Sequence, residues 1–221
     1  MKDRSMQHTE RTTVRRHSER AAYDEDTVHG ILDAGAMCHV GFVQDGQPFV
    51  IPTNYGRAGD VIYLHGSPQS RMMRILAGGA PVCISVTHLD GLVLARSTFS
   101  HSANFRSVVI LGHGRLVTDT QEKLEALRII VEQVVPGRSA EARGPNEKEL
   151  ASTMVVAVKV EEASAKMRSG GPQDPPADRG LDVWAGVLPL ALQPGTPVPD
   201  ADLAPHIAVP EYVTGYRRSP K

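Results

Sequence analysis

Several groups of residues in this chain have types and spacings that could do chemistry. The stretch STFSHSANFRSVVILG (97–112) sets Ser100, His101, Ser102, Asn104, Arg106 and Ser107 directly before the aliphatic run 108–111. Alternation in an extended chain puts Ser102, Asn104 and Arg106 on one face, where they can converge on one ligand at the rim of a β-structure. The competing reading is an ordinary solvated hairpin. In HGSPQSRMMRIL (65–76), Gly66, Ser67 and Pro68 precede a helix start at Ser70 and Arg71. Free N–H groups at such a start favour an anion, and a guanidinium fork fits phosphate. A capped surface helix with an exposed Arg71 is the plain alternative. His65, at the end of the preceding strand, is either a site residue or a histidine bonded to backbone. Lys166 and Arg168, two residues apart just beyond a strand, could meet a phosphate, an acidic substrate or carboxylates of a partner. His39, His88 and His113 lie in strand patterns and read as structural. No set of histidines has metal-ligand spacing, so no metal is expected.

The background to these residues is that of an ordinary soluble protein. The 221 residues suffice for one domain, with 41% hydrophobic and 22% charged residues. A formal net charge of −1 gives no field for nucleic acid or an anionic membrane. No apolar run approaches the roughly 20 residues of a membrane span. The N-terminal MKDRSMQHTERTTVRRHSER lacks the apolar segment of a secretory signal, which makes a cytoplasmic location the default. Cys38 and Cys83 sit in apolar strand-like runs and read as buried small hydrophobes.

The elements that must position the polar groups follow from periodicity and caps. Residues 1–20 read as a flexible arm. Asp24 and Gly35 bracket a helix with Val28, Ile31 and Leu32 on one face. MCHVGFVQ (37–44) and PFVIPTN (48–54) form a hairpin across Asp45-Gly46. VIYLH (61–65) is a strand, and SRMMRIL (70–76) a short helix closed by Gly78-Gly79. PVCISVTH (81–88) and LVLARSTF (92–99) predict a second hairpin across Leu89-Asp90-Gly91, followed by a long strand to about Val117. Asp119-Thr-Gln-Glu122 has the pattern of a capping box and starts a helix. TMVVAVKVEE (153–162) predicts a last strand, and the remainder from Ser164 shows little periodicity. The expected fold is mainly β within the α+β class: a six-stranded antiparallel split β-barrel with a few packed helices. No GxGxxG or GxxxxGK[ST] nucleotide fingerprint is present.

This order of elements resembles the FMN-binding split barrel of the pyridoxamine 5′-phosphate oxidase superfamily. Within it the chain looks like the flavin-nucleotide-binding branch related to the nitroimidazole-resistance (Nim) reductases. Four motifs carry the resemblance: PFVIPTNYGRAGDVIYLHGSPQSRMMRIL (48–76), LDGLVLARSTFSHSANFRSVVILGHG (89–114), SAKMRSGGP (164–172) and DVWAGVLPL (182–190). The resemblance implies a homodimer with FMN in clefts between the subunits. Ile51, Pro52, Thr53 and Asn54 would present backbone groups to the flavin edge, and Ser70 and Arg71 match a phosphate-binding Ser-Arg pair. A histidine recurs in this branch at the place of His65. Ser107 stands where the oxidases have a flavin-contacting glutamine, and Trp184 resembles a tryptophan that approaches the cofactor. Ser102, Asn104, Arg106 and Lys166 complete the expected set. The division is a barrel over 21–163 and an extension over 164–221 that packs on the barrel or the partner.

One departure bears on substrate. Where the oxidases follow that tryptophan with Arg and His residues that hold the vitamin, this chain reads VLPLALQPG (187–195). The expectation is therefore an FMN-dependent oxidoreductase acting with a reduced nicotinamide or another small redox substrate, and not a true pyridoxamine phosphate oxidase. The alternatives are an F420- or haem-binding protein on the same barrel and a non-catalytic flavin carrier or sensor. The flavin would carry the redox chemistry and the protein would position it.

Overall fold

The computed structural model of the chain describes Met6 and residues 8–217. The elements run β1 (Ala21–Ala22), α1 (Glu25–Ala34), β2 (Met37–Gln44), β3 (Gln47–Asn54), β4 (Gly56–Ala58), β5 (Val61–Gly66) and α2 (Arg71–Ala77). They continue with β6 (Pro81–Leu94), β7 (Ser102–Leu116), α3 (Thr120–Val134), α4 (Glu147–Ala151), β8 (Met154–Lys159), β9 (Glu162–Arg168), β10 (Gly186–Pro189) and α5 (Glu211–Thr214). The architecture is that of an antiparallel α+β split barrel. Among the described residues it has ten strands rather than the six expected. Three of the four extra ones are β1, β4 and β10, of two to four residues each, too short for periodicity to show, and the fourth is β9.

The local signals explain most boundaries. Asp24 caps α1 by accepting from the Thr27 amide at 2.8 Å, and Val28, Ile31 and Leu32 are buried beneath it. Gly35 ends α1 because the Tyr55 hydroxyl, which donates to the Leu32 carbonyl, would lie 2.5 Å from any Cβ there. Asp45 and Gly46 take positive φ of 51° and 77°, the turn that lets β2 and β3 pair residue for residue. Asp119 caps α3 as expected, while Glu122 turns its carboxylate to Arg115 and Tyr63 instead of closing a capping box.

Three expectations are corrected. The first is the hairpin at 89–91, which does not form: β6 runs through it as one strand with a bulge between Leu89 and Gly91. β10 pairs along this far end of β6, Gly91 against Pro189, which keeps the chain extended past a turn-like Leu-Asp-Gly. The second is the strand at 153–162, which extends to Arg168 as β8 and β9. Both are antiparallel to β7, and the register slips by one residue between Gly114↔Val158 and Leu111↔Glu162. Lys166 and Arg168 are thus strand residues. The third is the N-terminal arm, read as flexible, whose described part lies against the barrel. Arg11 pairs with Glu162 at 2.8 Å, and Met6 and Thr12 are buried. Residues 1–5 and 7 of that arm, and 218–221 of the extension, lie outside the described residues.

The core fills the barrel with Val40, Ile62, Leu64, Ile84, Val86, Val108, Ile110, Val156 and Val158, closed by Leu32 of α1 and by Met73 and Leu76 of α2. Each such side chain stabilises the fold by about 1.5–3 kcal/mol. A second cluster of Val117, Ala126, Val155 and Ala157 seats α3 on the outside of β8. The tightest approach in the barrel is α2 on β7. A Cβ on Gly114 would stand 2.2 Å from the Leu76 carbonyl oxygen. Gly114→Ala should therefore lower stability by about 1–3 kcal/mol, read as a lower urea midpoint at unchanged m. Gly144→Ala, where a Cβ meets nothing within 4 Å, should stay within about 0.5 kcal/mol. Equal midpoints for the two variants would contradict the packing described.

Candidate functional site

The expected site residues fall into two corners and one outlier. The first corner joins the edge strand β3, the end of β5 and the start of α2. β3 ends the strand order and pairs with β2 alone, so its other edge offers backbone N–H and C=O groups along Ile51, Pro52, Thr53 and Asn54. Proline at 48 and 52 is compatible only with such an edge. The Asn54 side chain is already engaged, donating to the Ala36 carbonyl at 3.0 Å. Ser70 is spent on capping, its hydroxyl accepting from the Met73 amide at 3.4 Å. Arg71 is exposed and lies over the Phe49 ring, 4.7 Å from its centroid, which brings a cation to β3. Phe49 is a participant that sequence reasoning missed.

His65 completes this corner. Its Nδ1 is buried and makes no hydrogen bond. Burial pushes its pKa below the usual value, which keeps the imidazole neutral near pH 7. A neutral imidazole keeps a lone pair for a metal centre supplied by a cofactor. The reading of His65 as bonded to backbone through that nitrogen is not what the structure has.

The second corner is the start of β7 with β9 beside it. The polar cluster there is largely a latch. Asn104 is buried, donates to the Gly170 carbonyl at 3.1 Å and accepts from Arg168. Arg106 forms a bidentate pair with Asp90 at 2.9 and 2.8 Å, and hydrogen bonds to that carboxylate raise its pKa. Asp90 is the residue displaced by the β6 bulge, so the bulge supplies the partner. Ser107 donates to the Lys166 carbonyl at 3.1 Å, and Lys166 Nζ donates to the Arg16 carbonyl at 2.9 Å. Ser102 is exposed at the first position of β7. The three residues that alternation places on one face thus split between the Arg168 loop, Asp90 and solvent.

Trp184 is the outlier. Its indole packs over Gly186, where a Cβ would be 2.9 Å from the ring, and the residue is 68% exposed. Cys38 is inert, its thiol pushed up to about 12 by burial. Among the described residues no group of three or more His, Cys, Asp or Glu side chains could hold a metal ion, and no helix is long and apolar enough to cross a membrane.

A family model described as pyridoxamine 5′-phosphate oxidase matches residues 24–167. The structure of the flavocytochrome Anf3 from Azotobacter vinelandii is similar at 40% identity and a TM-score of 0.88, covering 95% of this chain and 97% of that one. That of the FAD and haem binding protein from Mycobacterium smegmatis is similar at 36% identity and a TM-score of 0.85, covering 89% and 96%. A protein from Bacteroides thetaiotaomicron named for 5-nitroimidazole antibiotic resistance is 25% identical with a TM-score of 0.56, over 66% and 85%. No curated protein matches the chain in a sequence search.

The state of His65 yields a prediction. Its pKa is depressed in the fold, so as pH falls the unfolded chain takes up this proton first. The contribution to stability is complete above about pH 6.5 and is lost as pH falls through the depressed folded value. Carboxylates with lowered values, Glu149 furthest at about 2, titrate below this window. His65→Gln should therefore flatten the decline of the urea midpoint between about pH 7.5 and 5. Parallel curves for wild type and variant would contradict a buried, unpaired imidazole.

Proposed function

We propose a function from one premise: the chain belongs to the pyridoxamine 5′-phosphate oxidase-like superfamily of split barrels. It is a redox protein that binds FAD together with haem. The observation that carries this reading is where the similarity extends. The family model stops at Met167, and the nitroimidazole-resistance relative covers 66% of the chain. The two relatives that cover 95% and 89% of it are a flavocytochrome and an FAD and haem binding protein. The stretch that follows β9, which a bare flavin barrel does not need, goes with the two-cofactor proteins.

The residues present fit both groups. His65, half-buried and neutral, would hold the haem iron. The open edge of β3 and the Arg71 guanidinium would hold the flavin, the edge by backbone hydrogen bonds and Arg71 by a charge-assisted contact to phosphate. When bound, a flavin accepts electrons in pairs and a haem passes them singly, so the two together serve an oxidoreductase that couples a two-electron donor to one-electron steps. The protein's part is to desolvate the imidazole, to hold it at the end of β5 and to fix Arg71 against Phe49.

The reading includes a homodimer in which the cofactor clefts are shared. Val43 and Val50 on the sheet face, Phe99 at 97%, Trp184 at 68%, Leu192 at 92% and Val198 at 90% exposure are apolar groups that a second copy would cover. Pyridoxamine phosphate is not the substrate in this reading, because residues 187–195 offer no Arg or His to hold it. Cys38 and Cys83 are both free thiols, which suits the reducing cytoplasm.

Two outcomes are expected. Protein purified from cells supplied with haem should show flavin and Soret bands, and mass spectrometry of the heat-released ligands should find FAD. His65→Ala should lose the Soret band and keep the flavin. FMN in place of FAD, or a Soret band unchanged in His65→Ala, would contradict the assignment. Arg71→Ala should weaken flavin binding by about 10- to 150-fold in a fluorescence titration, with Arg71→Lys recovering part of it. Affinities within about twofold for all three proteins would remove Arg71 from the site.

A further inference from the structure

We propose that the cleft between the N-terminal segment and the end of β9 is an anion site that takes a phosphate or diphosphate group. Its polar lining is His17, Glu19, Arg20, Arg168, Ser169 and Gln173, around a volume of about 410 Å³. Its lining shares no residue with the corner formed by β3, β5 and α2, and the inference rests on the flavin reading only where the occupant is the diphosphate of a bound FAD.

Arg168 is only 9% exposed. The half-buried arginines elsewhere on the barrel each meet a carboxylate: Arg57 meets Asp33 at 2.6 Å, Arg96 meets Asp174 at 2.8 Å and Arg106 meets Asp90 at 2.8 Å. Arg168 does not. Its hydrogen bonds go to the Asn104 side-chain oxygen, the Gly170 carbonyl at 3.3 Å and the Gly171 carbonyl at 3.0 Å, all neutral. These bonds fix the plane of the guanidinium, and no carboxylate among the described residues pairs with it. A buried cation in that state is costly, and an anion would relieve the cost.

The neighbours sharpen the point. Arg20, with its side chain 21% exposed, lines the same cleft, and burial together with this like charge pulls the Arg168 pKa down. Glu19 is the only carboxylate among the described residues lining the cleft. It sits at the rim, 65% exposed, 3.5 Å from Arg20 Nε and 3.2 Å from His17 Nδ1. Two guanidinium groups with Ser169 and Gln173 beside them suit a group that carries about two negative charges and many acceptor oxygens, which is a phosphate rather than a lone carboxylate. Two sources share this chemistry: the diphosphate of a dinucleotide the protein already holds, and a second nucleotide from solution.

The test is calorimetric titration of inorganic pyrophosphate and ADP into the protein as purified, at low ionic strength, with wild type, Arg168→Gln and Arg20→Gln. The flavin released from each is quantified in parallel. A free site should bind one or both probes in wild type, about 10- to 100-fold more weakly in each variant. A site filled by a bound dinucleotide should give no heat in wild type, and both variants should emerge with less FAD per chain. Either result supports the proposal and identifies the source. Binding equal in all three proteins would overturn it, as would no binding in wild type with FAD content unchanged in the variants. Arg20→Gln leaves the Arg168 bonds to Gly170 and Gly171 in place, so it decides the matter even where Arg168→Gln fails to fold.

Discussion

β7 divides one of its edges between two strands, and the rest of the molecule follows from how it does so. Leu111 to Phe105 pairs with β9, Leu116 to Gly114 pairs with β8, and the slip between them falls beside Gly112 and His113. A Cβ on Gly112 would stand 3.1 Å from Val158 and one on Gly114 would strike the backbone of Leu76. The bare backbone at these two positions lets α2 and β8 come close while the run 154–168 bends from one sheet to the other. One half of that run holds β5, with His65 opposite Val155. The other half places Lys166 and Arg168 beside Ser107 and Phe105. Both corners of candidate chemistry are therefore positioned by one bend.

The two corners differ in their electrostatics, and the difference explains the mixed character of the polar stretch 97–107. Asn104, Arg106 and Ser107 are satisfied within the chain, by Arg168 and Gly170, by Asp90 and by the Lys166 carbonyl. Their polarity secures the C-terminal run against β7, since a buried polar group must find its partner in the protein. Two groups near the candidate sites differ: His65 Nδ1 is buried without a hydrogen bond, and Arg168 meets only neutral acceptors among the described residues. Proteins retain such costs where a ligand offsets them.

Much of the fold was legible in the sequence because its signals were local. Asp24, Ser70 and Asp119 each cap the helix that follows, and Asp45-Gly46 makes its hairpin turn. The failures were non-local. Leu89-Asp90-Gly91 has the composition of a turn and is held extended by β10, a hundred residues later in the chain. The arm gains its order from Arg11 meeting Glu162 across the barrel. The candidate residues were partly legible too. Arg71 lies over Phe49 of the β3 edge and His65 ends the strand before α2, elements that the family resemblance had grouped. The solitary charge on Arg168 could not be read, because it depends on which carboxylates the fold hands to the other arginines.

We propose that the flavin and haem site is completed only by a pair of copies, with the apolar groups around Trp184 and Leu192 turned inward between them. Native mass spectrometry of the protein as purified tests this most directly. A mass of two chains carrying two FAD and two haem molecules is expected, with no cofactor retained on single chains released by gentle activation. Single chains that keep their cofactors, or a pair that carries neither, would contradict it.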